Sequence, residues 1–137
     1  MRTDDTFTIS QHLIDQIVAH AREEAPHECC GMLGGSDSTA RRVYRTGNPD
    51  ASALTYTIDP KEAFAIIRRM RDDGVDFIGC YHSHPATEAY PSPTDKSKAG
   101  DSELIYVIVS LREPSAPIAR AYKINGDLVT ELSIQID

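Results

Sequence analysis

The chain has 137 residues, of which 40% are hydrophobic and 26% are charged, and these values are typical of one soluble globular domain. Its formal net charge is −7, from 14 basic and 21 acidic side chains, and no basic cluster interrupts this acidic character. A surface of this sign repels phosphate backbones, so we expect no nucleic-acid partner.

The chain also lacks the usual signs of export or membrane insertion. No apolar run approaches the roughly 20 residues that a membrane-spanning helix needs, so we expect no membrane contact. The segment from Met1 to Thr8 is polar and lacks the order of a secretory signal, which favours a cytoplasmic protein. Cys29, Cys30 and Cys80 are an odd number without Cys-x-x-Cys spacing. We expect these cysteines to be buried and unpaired.

A first helix is predicted after Ser10, which is a candidate N-cap. Apolar residues then recur at helical spacing, and Pro26 disfavours helical backbone at the residue before it. The helix should therefore end near Ala25. His12 and His20 lie off the apolar stripe, so we expect both to be exposed to solvent.

The remaining elements follow from alternation, apolar runs and turn residues. Asp59 is a candidate N-cap, with Pro60 as the first helical residue. Asn125-Gly126 is a favoured two-residue hairpin turn. The predicted elements are a hairpin of strands over 28–33 and 41–45 with its turn over 34–38, a strand over 54–58, a helix from 60 that stops at 72–74, a strand over 75–82, an irregular loop over 83–93, a short helix over 94–99, and strands over 104–111, 118–124 and 128–136.

This order of elements predicts an α/β or α+β fold, with a mostly mixed or antiparallel sheet and two main helices. No repeat, low-complexity tract or linker divides the sequence. We therefore expect a single domain over residues 1–137.

Two histidines at the end of the strand predicted over 75–82 carry the clearest chemical pattern. His82 and His84 are two residues apart, so on a strand both side chains point to the same face. Asp95 follows an irregular loop that is long enough to return to them. Two nitrogens and one oxygen, with a fourth place for water, are the ligands of a catalytic zinc. From spacing alone, a hydrogen-bonded turn without metal is also possible.

The spacing His82-x-His84, seven residues, Ser92, two residues and Asp95 resembles the JAMM signature of the MPN+ (Mov34/MPN/PAD-1) family. The resemblance is to the short prokaryotic members in particular and extends over nearly the whole chain. Glu28 stands where that family has an upstream glutamate, after the first helix and before a glycine-bearing strand. The resemblance implies a zinc metallopeptidase with a cytidine-deaminase-like fold, a mixed β-sheet sandwiched by helices.

The resemblance also implies a role for each of these residues. His82, His84 and Asp95 would hold Zn²⁺, Glu28 would move a proton between water and the leaving amine, and Ser92 would donate a hydrogen bond to an oxyanion. Two simpler alternatives remain: Glu28 as a solvated carboxylate at a strand edge, and Ser92 as the cap of a short helix. The cap and the oxyanion role are compatible with each other.

The segment over 81–92 resembles that of bacterial Mec peptidases, which release cysteine or a similar group from a ubiquitin-like sulfur-carrier protein with a Gly-Gly tail. The resemblance therefore implies the processing of such a carrier in sulfur transfer or cysteine biosynthesis. A tail of this kind can bind as an added strand. The loop over 83–90 and the strand over 54–58 are the candidate cradle, with Tyr56, Thr87 and Tyr90 as candidate contacts.

Three alternatives stay open at this stage. One is an isopeptidase, similar to a deubiquitinase, that acts on other ubiquitin-like conjugates. Another is a non-catalytic MPN scaffold, although such members lack the metal ligands that are present here. The third is a RadC-like protein, which the acidic charge disfavours. Nitrogen and carboxylate ligands favour zinc among divalent metals, and the sequence does not determine the oligomeric state.

Overall fold

A computed structural model describes residues 6–137 of the chain. Of the polar N-terminal segment considered above, Met1 to Asp5 lie outside the described residues. The elements are β1 (Thr6–Ile9), α1 (Gln11–Glu24), β2 (Cys30–Ser36), β3 (Thr39–Thr46), α2 (Pro60–Asp73), β4 (Asp76–His84), α3 (Pro93–Lys98), β5 (Ile105–Ser110), β6 (Ile118–Asn125) and β7 (Leu128–Ile136).

The strands form one mixed sheet in the order β1-β3-β2-β4-β5-β6-β7. The pairs β4–β5, β1–β3 and β1–β7 are parallel, and the other neighbours are antiparallel. Because β1 pairs with both β3 and β7, the sheet closes into a barrel. The predicted mixed sheet is confirmed, whereas the closure was not part of the prediction.

Helices pack on both faces of this sheet. On one face, α1 contributes Leu13 and Ile17 to a core that includes Leu33 and Tyr81. On the other face, α2 contributes Ile66 and Met70 to a cluster with Met32 and Tyr44. Strand alternation therefore places the side chains of His82 and His84, one and three residues after Tyr81, on the face opposite α1.

Both long helices begin and end near the predicted residues, although the Asp59 side chain makes no capping hydrogen bond to α2. The Ser10 side chain caps α1 by accepting a hydrogen bond from the Leu13 amide at 3.2 Å. Pro60 opens α2, and Gly74 ends it in the left-handed conformation at φ 76°. Within residues 6–137, no helix combines the length and the apolar character that crossing a membrane requires.

The prediction that His20 is exposed was wrong, whereas His12 is exposed as predicted. His20 is only 4% exposed, and its Nδ1 lies 2.8 Å from the Tyr81 hydroxyl. The hydrogen bond makes burial of this polar ring tolerable. The partner lies 61 residues further along the chain, so the local helical pattern carries no sign of it.

Residues 54–58 do not form the predicted strand. Side chains take the place of a sheet partner here: Asn48 accepts a hydrogen bond from the Thr57 amide, and Lys98 donates one to the Tyr56 carbonyl. The alternation of residue types indicated an extended segment, and the segment runs beside the sheet without joining it.

Two predicted turns and one loop have different limits. The glycines at 34 and 35 lie inside β2. Glycine is needed at position 35, because a Cβ there would meet the Thr39 carbonyl oxygen at 1.9 Å. Asn125 pairs with Leu128, so the β6–β7 turn is residues 126–127. Ser83 and His84 belong to β4 rather than to the loop. Both histidines of the motif therefore stand on the regular sheet.

Candidate metal centre

β4 and α3 together bring three candidate ligands to the end of the sheet. His82 and His84 lie at the C-terminal end of β4, where the strand pairs with β5 in register His84↔Ser110. Asp95 lies in α3, and its side chain reaches back to the backbone at the start of that helix. All three side chains are buried, at 1%, 3% and 6% exposure respectively.

The ligand atoms of these three residues converge on one point. Asp95 Oδ2 lies 3.0 Å from His82 Nε2 and 3.0 Å from His84 Nε2. The two Nε2 atoms are 3.2 Å apart. Three buried groups that each offer a lone pair toward a common centre could hold a metal ion.

Hydrogen bonds outside the centre orient these ligands. His84 Nδ1 lies 2.8 Å from the Glu88 carbonyl oxygen, so it donates its proton there and leaves Nε2 free as a ligand. The Ser92 amide donates to Asp95 Oδ2 at 2.9 Å. His82 Nδ1 is buried without a hydrogen-bond partner among the described residues. Its ring is held by stacking on Tyr56 instead, with centroids 4.4 Å apart.

The electrostatics of the group favour an ionised carboxylate beside a neutral His82. Burial acts to raise the pKa of Asp95, but hydrogen bonds with His82 and His84 hold it well below its usual range. Burial lowers the pKa of His82. For His84, burial acts to lower the pKa, but contact with Asp95 raises it. A carboxylate and neutral imidazole nitrogens are the protonation states that a divalent cation requires of its ligands.

Glu28 lies in the segment just before β2, and its side chain is only 2% exposed. The alternative of a solvated strand-edge carboxylate is therefore wrong. Burial raises the pKa of Glu28 to about 7, while His84 lowers it and Asp95 raises it. Its Oε1 atom has no hydrogen-bond partner among the described residues. The arrangement gives a carboxyl group that can take up and release a proton near neutral pH.

Ser92 is the N-cap of α3, as one alternative predicted. Its hydroxyl accepts a hydrogen bond from the Asp95 amide at 3.0 Å and forms a capping box with that residue. The side chain is partly exposed. The hydroxyl accepts in this bond, so its own proton stays available to a further acceptor.

Ser83 has a supporting position between the two histidines. Its side chain accepts a hydrogen bond from the Cys29 amide at 2.8 Å, and its amide donates to the Cys29 carbonyl oxygen at 3.1 Å. These bonds attach β4 to the residue next to Glu28. The strand that bears both histidines is therefore joined directly to the segment that bears Glu28.

Among the three candidate substrate contacts, Tyr56 lies against a candidate metal ligand, because its ring stacks on His82. The Thr87 carbonyl accepts a hydrogen bond from the Ser110 hydroxyl at 2.5 Å. Tyr90 packs edge-on against Tyr122, with centroids 5.7 Å apart. Tyr90 also lines a surface groove of about 590 Å³ beside the loop that follows β4.

Sequence reasoning missed a lysine that joins α3 to the segment beside the metal centre. Lys98 Nζ donates to the Tyr56 carbonyl oxygen at 2.8 Å and to Thr57 Oγ1 at 3.1 Å. It also lies 3.6 Å from an Asp50 carboxylate oxygen. Lys98 and Tyr56 are 42 residues apart, and no local pattern connects them.

Comparison with known proteins gives a consistent result. Residues 10–125 match the family described as prokaryotic homologs of the JAB domain. The chain is 39% identical over 131 residues to the CysO-cysteine peptidase of Mycobacterium tuberculosis (strain ATCC 25618 / H37Rv), covering 93% of this chain and 89% of that protein. It is 34% identical over 143 aligned positions to the desampylase of Haloferax volcanii, covering 98% of this chain and 99% of that protein.

A solved structure supports the same assignment. The solution structure of a protein from Desulfitobacterium hafniense superposes with a TM-score of 0.88 at 38% identity, over 96% of this chain and 92% of that one. The matched region contains Glu28, Ser92 and all three candidate ligands. The chain therefore belongs to the family of prokaryotic homologs of the JAB domain.

Proposed function

We propose that this protein is a zinc-dependent peptidase that hydrolyses the amide bond after the C-terminal Gly-Gly of a ubiquitin-like sulfur-carrier protein and releases cysteine or a similar small group. The observation that carries the proposal is the convergence of His82, His84 and Asp95 beside the buried carboxyl of Glu28. The similarity to a CysO-cysteine peptidase over 93% of the chain supports the class of substrate.

The metal would be held by the two Nε2 atoms and by Asp95 Oδ2. Two imidazoles and one carboxylate, without a fourth protein ligand, are the set that catalytic zinc sites use. When bound, zinc supplies Lewis acidity, which polarises a carbonyl group and lowers the pKa of water. The cysteines would take no catalytic part, since burial raises the pKa of each thiol.

Glu28 would act as the general base and then as the general acid. It would take a proton from the attacking water and pass it to the departing amine, so that the carbon–nitrogen bond breaks without expelling an amide anion. A carboxyl group with a pKa of about 7 serves both steps near neutral pH. Its burial and its unpartnered Oε1 leave the carboxyl free of competing hydrogen bonds.

Ser92 would donate its hydroxyl proton to the oxyanion that develops on the scissile carbonyl. Because the Asp95 amide already bonds to the Ser92 oxygen at 3.0 Å, the hydroxyl is held in place before substrate arrives. A donor that needs no reorientation stabilises the transition state more effectively. The two roles of Ser92 are therefore compatible: its oxygen accepts the capping hydrogen bond, and its proton would be donated to the oxyanion.

The segment over 54–58 would form part of the cradle for the carrier tail, with Thr87 and Tyr90 as further contacts. Side chains already bond most backbone groups of this segment. An added extended peptide would therefore pair with the groups that remain, such as the Tyr56 amide. Glycine in that peptide would permit close approach to the centre. Only a short connection separates α3 from β5, which favours a small leaving group over a second folded domain.

We also propose that the protein works in the cytoplasm. Its three cysteines are free, two of them buried, and none forms a disulfide. Unpaired cysteines are the usual condition in a reducing compartment.

A comparison of two linkages tests the substrate proposal. One substrate is a Gly-Gly carrier joined to cysteine through an α-amide, and the other is the same carrier joined to a lysine side chain. We expect cysteine to be released faster than the lysine-linked group, with Glu28→Gln as the inactive control. Faster cleavage of the lysine-linked substrate would instead favour an isopeptidase, an alternative that the similarity to a desampylase supports.

A further inference from the structure

One side chain organises the loop between β3 and α2. Asn48 Nδ2 donates to the Glu28 carbonyl oxygen at 3.1 Å and to the Thr55 carbonyl oxygen at 3.0 Å. Asn48 Oδ1 accepts from the Asp50 amide at 3.2 Å and from the Thr57 amide at 3.0 Å. The carboxamide therefore links the segment before β2 to both ends of a loop.

These four bonds use the full hydrogen-bonding capacity of the group. A carboxamide has two N–H donors and an oxygen that accepts two bonds, and Asn48 employs all of them. An aspartate of the same shape has no donors, and an alanine has neither donors nor acceptors. A network in which every member is satisfied holds its parts in one arrangement.

The network connects two parts of the candidate site. Glu28 is fixed at its carbonyl by Asn48, and its amide donates to the Ser52 carbonyl oxygen in the same loop at 2.7 Å. Tyr56 lies between the two threonines that Asn48 binds, and its ring stacks on His82. Asn48 thus sets the position of Glu28 relative to a candidate metal ligand without touching either side chain.

We propose that Asn48 is a positioning residue for the hydrolysis, one that holds the backbone of Glu28 and the ring of Tyr56 in register with the metal centre. This inference rests on the function proposed above. Neither Asn48 nor its loop supplies a candidate ligand, since these lie on β4 and α3. The effect of Asn48 therefore falls on turnover and leaves metal binding intact.

Asn48→Ala and Asn48→Asp test the proposal, with Asn125→Ala as the matched control. Asn125 is an exposed amide at the β6–β7 turn. We expect kcat to fall about 10- to 100-fold in both Asn48 variants, because misplacement by about 1 Å can cost this much. KM should change far less than kcat, and zinc should stay at one per chain. Asn125→Ala should match the wild type in all three quantities.

Either of two results would overturn the proposal. One is a wild-type kcat in Asn48→Ala at a temperature at which the variant is folded. The other is a parallel loss of zinc and activity in both Asn48 variants, which indicates general disruption of the fold. If alanine prevents folding, the aspartate variant decides, because it keeps the two acceptor bonds to Asp50 and Thr57.

Amide hydrogen exchange on the metal-free protein separates this inference from the proposed function. The Thr57 amide should exchange at least about tenfold faster in Asn48→Ala than in wild type or Asn125→Ala, because its acceptor is lost. It should stay protected in Asn48→Asp. If Thr57 exchange is unchanged in Asn48→Ala, the network does not hold the loop and the inference fails. If exchange changes as expected but the wild type cleaves no carrier, only the proposed function fails.

Discussion

Glu28 carries a carboxyl group whose neutral form is favoured by burial. Its pKa is raised from 4.5 to about 7 in the folded chain. Between these values the folded state binds more protons than the unfolded state, so the contribution of Glu28 to stability is present below about pH 4.5 and is lost as pH rises through about 7.

Metal-free Glu28→Gln should therefore gain stability relative to the wild type as pH rises from roughly 5 to roughly 8, because glutamine has no charge to bury. Urea unfolding of both proteins at the two pH values measures the difference. An identical difference at both values would show that the carboxyl is not perturbed in the folded protein.

The cysteine thiols are poor nucleophiles in this fold. Burial raises the pKa of Cys29 to about 12, of Cys30 to about 11 and of Cys80 to about 12. The thiolate is the reactive form, and at neutral pH it is scarce at such pKa values. We expect iodoacetamide to leave turnover unchanged and a chelator to abolish it. Denatured protein, in which all three cysteines react, is the control; loss of turnover on alkylation of the folded protein would point to a cysteine mechanism.

The site residues differ in how far the sequence could predict them. The histidine pair depends on strand alternation and Asp95 on motif spacing, and both signals are local, so the structure places these residues as expected. The burial of His20 and the contacts of Asn48 and Lys98 depend on partners far along the chain. Local hydrophobic pattern and motif spacing do not reveal contacts between residues that are far apart in the chain.

At the scale of elements, the contact between β4 and β5 supports the strand that bears both histidines. A Cβ at Gly79 would lie 2.0 Å from the Ile105 carbonyl oxygen of the neighbouring strand. Because both groups belong to paired backbones, neither can move without disturbing the ladder. Glycine is therefore required here for close approach of two strands.

Gly79→Ala should lower the free energy of unfolding by about 3 kcal/mol, the upper end of typical overpacking effects. Gly100→Ala is the matched control, because nothing lies within 4 Å of a Cβ at that position. Its effect should stay within about 1 kcal/mol. Urea denaturation of the three proteins measures both effects, and equal stabilities for the two variants would contradict the strand contact.

The predictions for whole elements are confirmed where residues within the element, or next to it, determine its ends. Helix α2 begins at Pro60 and ends before Gly74, since proline and glycine act on their own backbone. The segment over 54–58 shows the alternation of a strand, but its hydrogen bonds go to the side chains of Asn48 and Lys98. Residue alternation indicates extended backbone, and whether a neighbouring strand is present depends on the rest of the fold.

At the scale of the whole molecule, β1 closes the sheet by parallel pairing with both β3 and β7. The register Thr6↔Ser133 joins the two ends of the described chain. A strand of four residues has too little pattern to be recognised, and the pairing of distant ends leaves no trace in local periodicity. Barrel closure therefore becomes visible only in three dimensions.

Zinc bound at the candidate metal centre would stabilise the whole fold. The candidate ligands come from β4 and α3, which only the folded chain brings together, so zinc should bind the folded state and raise the unfolding temperature. At a free zinc concentration of about 100 times Kd, the expected stabilisation is about 2.7 kcal/mol.

Thermal unfolding with and without zinc measures this effect in three proteins. The wild type and His12→Ala should respond equally, because His12 is exposed on α1. His84→Ala should show little or no increase. The same increase in His84→Ala would mean that zinc binds elsewhere on the chain.

Intact-mass analysis of a Gly-Gly carrier extended by cysteine tests the central claim most directly. The carrier is incubated with the zinc-loaded wild type and with zinc-loaded Glu28→Gln. We predict that the wild type removes the mass of one cysteine residue and leaves the glycines in place, and that Glu28→Gln leaves the carrier whole with its zinc retained. An uncleaved carrier with zinc-loaded wild type, or equal cleavage by both proteins, would contradict the account.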